Sequence, residues 1–307
     1  MTPGALAWSK LKRNRPAVAS LIVICLYLLA ALFFEIHGIL CQNSRQIPIY
    51  ARTSEERFSP PSRKHWLGTD YQGRDVLIRS FASSGTAVKI GVISGSIAVF
   101  IGVTLGCAAG FFGGRTDDVI VWLYSTIASM PTLLFILAFA LLVSRGYLPG
   151  HLADGLSFFS KCVNVEPGML AVYAAVGLTG WVSLCRVVRS ESMKLKHRAF
   201  VDASRVAGVP GLIIVFRHIL PNVLHLAIIY FTLSFAGAVM LEVIVSYLGF
   251  GVQSAPSWGV MISDGQERLW RGIWWEIAGA SGAMFLLVLA LNLLGDALRD
   301  ALDPYAS

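Results

Sequence analysis

Residues 200–222 read FVDASRVAGVPGLIIVFRHILPN, a charged, amphipathic stretch set between two long apolar segments. On a helical wheel Phe200, Ala203, Ser204 and Ala207 fall on one face and Asp202 and Arg205 on the other. A helix patterned in this way lies on a surface and does not cross a membrane. Gly208, Pro210 and Gly211 then interrupt it, because glycine supplies positive φ at a helix end and proline fits only the first turn of a new helix. A second short run, 212–220, is expected to stop at Pro221, where the next apolar segment begins. The stretch therefore reads as helix, tight turn, helix, presented at a membrane surface.

Composition places the rest of the chain in lipid. Of 307 residues, 55% are hydrophobic and 14% charged, well below the roughly one-quarter charged fraction of soluble domains. The 29 glycines suit close helix packing, and the 17 Phe and 8 Trp suit core and interface. A net charge of +7 fits basic cytoplasmic loops, and no basic stripe with interleaved aromatics points to nucleic acid.

Six apolar segments approach the length of about twenty residues that a bilayer requires. They cover roughly 16–34, 86–110, 119–143, 168–189, 223–248 and 273–294. The first follows a basic start (Lys10, Lys12, Arg13, Arg15) with no small-residue cleavage site, so it reads as an uncleaved helix with a cytoplasmic N-terminus. By parity the loop 190–222 is cytoplasmic too, with Lys194, Lys196, Arg198, Arg205 and Arg217. The expected organisation is residues 1–36 as N-terminus and first helix, 37–85 as an outer loop, 86–298 as a five-helix core, and 299–307 as a cytoplasmic tail. Glycines at 91, 95, 102, 106 and 110 suit tight contacts, for which plain packing suffices as a reason. Pro131 is expected to kink the third span.

The outer loop ends in HWLGTDYQGRDVLIRS, where His65, Asp70, Arg74 and Asp75 invite a metal or catalytic reading. The plainer reading is a loop that satisfies its own charges through ion pairs and turns, and it is the one favoured here. Glu242 lies about 28 Å along its helix from Val223, near the outer interface, and Glu35 and Glu276 also sit near span ends. No midplane carboxylate announces a proton relay. Cys25, Cys107 and Cys185 fall in or near apolar spans, whereas Cys41 and Cys162 fall in outer loops where a disulfide is unsupported by any spacing rule. The dipeptide Gly-Lys never occurs, so there is no phosphate-binding loop, and H-E-x-x-H and G-x-S-x-G are absent. The sequence holds no catalytic, cofactor or metal motif of its own. A transport reading would therefore need its energy from elsewhere, with the surface helix as the docking place.

Asp202-Ala203-Ser204-x-x-x-Gly208, followed by His218-Ile219-Leu220-Pro221-Asn222, resembles the EAA loop of ABC importer permeases. Three further blocks resemble the peptide and nickel branch of that family: HWLGTDYQGRDVLIR (65–79), SYLGFGVQSAPSWGVMISDG (246–265) and LNLLGDALRDALDP (291–304). Their order is similar to that of the second permease subunit of dipeptide, oligopeptide and nickel importers, over about residues 10–304. Asp202 replaces the usual Glu and Ser204 the second Ala; Trp274 and Trp275 depart from the usual Pro-Trp pattern, and 150–167 reads as an unusual outer insertion.

The resemblance implies an all-α integral membrane fold like that of a type I ABC importer. It has six transmembrane helices and a cytoplasmic coupling-helix loop after the fourth, in a bacterial inner membrane with both termini cytoplasmic. It also implies a second homologous permease subunit, ABC ATPase subunits that bind the ATP, and an external substrate-binding protein that meets outer loops including 256–264. Phe200, Ala203 and Ala207 would form the docked face, Asp202 and Arg205 would set register, Gly208 would permit the turn, and Ser204, His218, Leu220 and Pro221 would complete the motif. Peptide is the first substrate expected and nickel or another small solute the second. From other classes, an ion-coupled carrier lacks a midplane charge, and a membrane enzyme would have to use His65, Asp70 and Asp75. A basic segment touching anionic lipid would explain the lysines of the loop but not its Asp-Ala-Ser, Gly and Leu-Pro spacing.

Overall fold

The computed structural model describes residues 10–147, 150–163, 165–251 and 255–302, with backbone alone at 144, 151–153, 156, 161–163 and 167. Parts of the expected tail 299–307 and of the block 246–265, and the side chain of Cys162 with its considered pairing to Cys41, lie outside the described residues. Within them the chain is helical. Helix α1 covers Arg15–Asn43, and α2 (Val76–Ala82) runs on into α3 (Ser84–Phe112). After α3 come α4 (Gly114–Ala128), α5 (Thr132–Ser144), α6 (Gly150–Val163) and α7 (Pro167–Leu195). Two short helices, α8 (Ala199–Val206) and α9 (Gly211–Ile214), precede α10 (Leu220–Tyr247), α11 (Trp258–Leu269) and α12 (Trp275–Leu302).

Five helical stretches among the described residues are long and apolar enough to span: Arg15–Asn43, Val76–Phe112, Gly168–Leu195, Gly211–Tyr247 and Trp275–Leu302. The segment expected as one kinked span over 119–143 is instead a broken pair, Gly114–Ala128 and Thr132–Val143, meeting at 87°, which makes a sixth span if the two halves count as one. Pro131 is not inside a helix. It stands at the N-cap of α5 in extended backbone, where its missing N–H interrupts no ladder. Other boundaries also moved outward: the second span begins ten residues before position 86, at Val76, and the residues read as an outer insertion form α6.

Helices α3 and α7 form the tightest pair because glycine removes the side chains between them. A Cβ on Gly106 would come within 2.8 Å of Val188, and one on Gly110 within 2.5 Å of the Arg189 carbonyl, so backbone approach at these two positions requires glycine. One large core joins α1, α3, α5, α7, α10, α11 and α12 around Tyr173, Trp258, Met261 and Leu287. Val103, Cys107 and Phe111 of α3 join Leu184 and Val188 of α7 at the other end, under α8–α10.

The loop between α1 and α2 is stitched by its own charges, as the plainer reading of His65, Asp70, Arg74 and Asp75 had it. Asp70 is fully buried and accepts from Arg74 Nε at 2.6 Å, Arg79 at 2.5 Å, and the backbone N–H groups of Gln72 and Arg74. Asp75 meets His65 Nδ1 at 2.7 Å and caps α2 through the Ile78 N–H. Trp275 Nε1 donates to the Thr69 carbonyl and Trp258 Nε1 to that of Ser80, so the loop is sewn to α12 and α2 to α11.

Candidate functional site

The stretch 200–222 occupies one end of the bundle, and the chain's own ends fix which. Leu11 and Ala17 pack with Ala297, so the start of α1 and the end of α12 adjoin. Glu35, late in α1, pairs with Lys89, early in α3, at 2.8 Å, so α1 and α3 are antiparallel and the end of α3 lies on the side of the α1 start. Helix α8 sits over that end of α3.

Arg198, in extended backbone, opens α8. Val201 turns inward, is wholly buried, and joins Phe111, Val188, Ile214, Val215 and Ile219 in one cluster. It is the anchor of α8, and its role escaped the sequence reading because a lone valine in an eight-residue helix shows no period. The other side of α8 faces out: Phe200 is 42% exposed, and Asp202, Ala203 and Ala207 are exposed. Val206, not singled out from sequence, is 90% exposed at the tip of this face. An unpartnered apolar side chain beside the turn was the available signal.

Ser204 lies beside Phe200, on the side of the wheel where the sequence places both. It is half-buried, donates to the Phe200 carbonyl at 2.9 Å, and lies 3.4 Å from His218 Nε2. His218 also meets the Phe200 ring, with centroids 6.0 Å apart, so Phe200, Ser204 and His218 come together between α8 and the start of α10. Arg205 pairs with Asp202 at 3.3 Å and places its guanidinium 5.4 Å from the centre of the Phe111 ring.

Gly208 adopts φ 75°, and its N–H donates to the Arg205 carbonyl while that of Val209 reaches Ser204. Pro210 then caps α9. The expected stop at Pro221 does not occur. Residues Val215–Ile219 form a π-helical turn that joins α9 to α10, giving one continuous helical stretch, Gly211–Tyr247. Pro221 falls in the first turn of α10, where the wider i→i+5 turn before it accommodates the missing donor. Leu220 packs against the Val201 cluster, and Asn222 donates to the His218 carbonyl at 2.7 Å. The site is thus a helix anchored by one buried valine, with an apolar tip outside and a rigid connection into a membrane span.

The family model described as "Binding-protein-dependent transport system inner membrane component" matches residues 102–306. That of the "N-terminal TM domain of oligopeptide transport permease C" matches 2–45. The chain is 32% identical over 302 residues to the dipeptide transport system permease protein DppC of Bacillus subtilis, covering 97% of this chain and 84% of that protein. It is 33% identical over 308 residues to the oligopeptide transport system permease protein OppC of Escherichia coli K12, covering 98% and 92%. To OppC of Mycobacterium tuberculosis it is 33% identical over 293 residues, covering 95% and 91%.

Proposed function

The chain belongs to the family of binding-protein-dependent transport system inner membrane components, and from that premise we propose that it is the second permease subunit of an ATP-driven peptide importer. It contributes half of the translocation path and takes its energy through α8. The observation that carries the reading is the construction of α8: one buried anchor, Val201, and an outward face of Phe200, Ala203, Val206 and Ala207 at one end of the bundle. A short helix held this way can transmit a push, because its anchor shares a cluster with α3, α7 and the start of α10.

In this proposal the apolar face seats in a groove on an ABC ATPase, with Asp202 and Arg205 setting register by charge. Closure of two ATPases around ATP moves α8 as a rigid lever, and the continuous Gly211–Tyr247 stretch carries that movement into the membrane. The side bearing α8, the start of α1 and the end of α12 is then the cytoplasmic one. A second homologous permease completes the path, an external binding protein delivers the substrate, and ATP is bound by the ATPase and not by this chain. Peptide is the substrate class because the similar proteins carry dipeptide and oligopeptide in their names.

The test is reconstitution of whatever complex the tagged chain brings from its own membrane. Uptake of a labelled dipeptide or tripeptide into proteoliposomes is expected to require ATP on the α8 side and to survive an uncoupler. Uptake that persists without ATP but collapses with the uncoupler would instead identify an ion-coupled carrier.

A further inference from the structure

Tyr173 is wholly buried in the second turn of α7, and its hydroxyl meets no partner among the described residues. An orphaned phenol at such a depth is a cost that proteins ordinarily remove with a bond or a water. Neither is at hand. Tyr173 lines a small void with Met169, Val172, Glu242, Ser246 and Gly251, and the void has no room for a water molecule.

Across that void stands Glu242 of α10, itself buried. Ser246 and Ser257 both donate to its Oε1, at 2.6 and 2.8 Å, and its Oε2 has no hydrogen-bond partner among the described residues. A donor without an acceptor and an acceptor oxygen without a donor thus border one cavity. Of the charged groups that act on Tyr173, Glu242 acts most strongly, ahead of Glu35.

The two groups belong to different bodies. Tyr173 is fixed to α3, because Ser94 Oγ donates to its carbonyl at 2.8 Å and because a Cβ on Gly177, one turn on, would come within 2.7 Å of Ile97. Glu242 is fixed to α11 through Ser257, the N-cap of that helix. At the other end of the bundle the same two helices flank α8: Val188 of α7 and Val223 of α10 share one cluster with Val201. A displacement of Val201 therefore acts on both, and a slide of α10 against α7 is felt at Tyr173 and Glu242. Helix shifts of about 1–2 Å are the ordinary scale of such transitions, and the void leaves space for the two groups to close.

We propose that Tyr173 and Glu242 form a latch between α7 and α10, open in this structure, whose hydroxyl–carboxylate bond closes when α8 is driven by its partner. The proposal rests on the importer reading above and makes Tyr173 a positioning residue for transport. A phenol donating to a buried carboxylate is among the stronger hydrogen bonds, and here both groups are already desolvated. Closing the latch converts two orphans into a pair, which favours the driven state over the resting one.

Tyr173→Phe removes the hydroxyl and keeps the ring. That hydroxyl bonds to nothing at rest, so the melting temperature of the purified complex is expected to stay or rise. ATP-dependent uptake of a labelled tripeptide by the same complex in proteoliposomes is expected to fall about tenfold. In a Glu242→Gln background the amide carbonyl still serves the two serines but the charge is gone. There the same substitution is expected to cost under about threefold, since the bond it removes is already weakened. Unchanged uptake in Tyr173→Phe, or an equal loss in both backgrounds, would overturn the latch. A lowered melting temperature would show that the hydroxyl is bonded at rest and would overturn it too. Wild-type uptake is read with and without ATP in the same preparation. Loss of ATP dependence there would take down the importer reading and the latch with it, whereas a transporting wild type whose variants break the pattern would take down the latch alone.

Discussion

Gly208 holds φ 75° with no atom within 4 Å of the position a Cβ would take. Its constraint is therefore conformational and not steric. Gly208→Val should cost roughly 1–2 kcal/mol in the left-handed region, whereas Gly208→Asn should be borne, since Asn visits that region readily. Uptake per inserted chain is expected to fall strongly in the Val variant and to be largely kept in the Asn variant; equal loss in both would show that the turn is not what matters. Glu242 makes a different kind of case. It is 3% exposed and accepts from Ser246 at 2.6 Å and Ser257 at 2.8 Å, tying α10 to the start of α11. Glu242→Ala removes the acceptor of the buried Ser257 hydroxyl, at about 1–3 kcal/mol, and should lower the melting temperature of the purified chain more than Glu242→Gln does. At this scale the sequence was legible where chemistry is local. Gly208 could be read from its neighbours, but the burial of Val201 and the inward turn of Ser204 depend on helices far along the chain.

Helix α8 is eight residues long and cannot hold its shape alone, since helices under about 12–15 residues are marginal in water. Its stability comes from Val201, and the proposed docking uses the opposite face. The Asp202–Arg205 pair is 58% and 39% exposed in its side chains, so it adds little to stability. Reversing both charges, Asp202→Arg with Arg205→Asp, should leave the melting temperature unchanged while reducing recovery of the ATPase with the chain; a lowered melting temperature with full recovery would assign the pair a structural role instead. Element boundaries were harder to read than element existence. Pro221 and Pro131 carry the same local signal, a break. One is absorbed by a π-helical turn and the other begins a new helix at 87°, because what precedes each proline, and not the proline itself, decides how the missing donor is met.

Across the whole molecule, charge secures the end opposite α8. Arg79 is 5% exposed and lies between Asp70, at 2.5 Å, and Glu276, at 3.5 Å, both fully buried; Arg268 meets Glu276 at 3.3 Å from α11. Arg79→Met would leave two buried carboxylates short of a partner, a loss of about 3–5 kcal/mol, and should make the loop 52–75 more sensitive to protease in membranes open to both sides. Wild-type resistance in that variant would mean the loop is held by Trp275 and its neighbours alone. The all-helical membrane architecture, with five spans and a broken pair, was visible in outline from composition and span length, because a bilayer imposes its own period on a sequence. The depth of the α4–α5 break was not, since only packing against Ala98 and Trp181 places it. The claim on which the account stands is that α8 is the seat of an ATPase. The most direct test is bifunctional crosslinking from Ala203→Cys, on the exposed face, in native membranes with mass identification of the adduct. The account predicts an ATPase carrying a phosphate-binding loop, lost when Phe200 and Val206 are both changed to Asp. Adducts with lipid alone, or with a second copy of this chain, would contradict it.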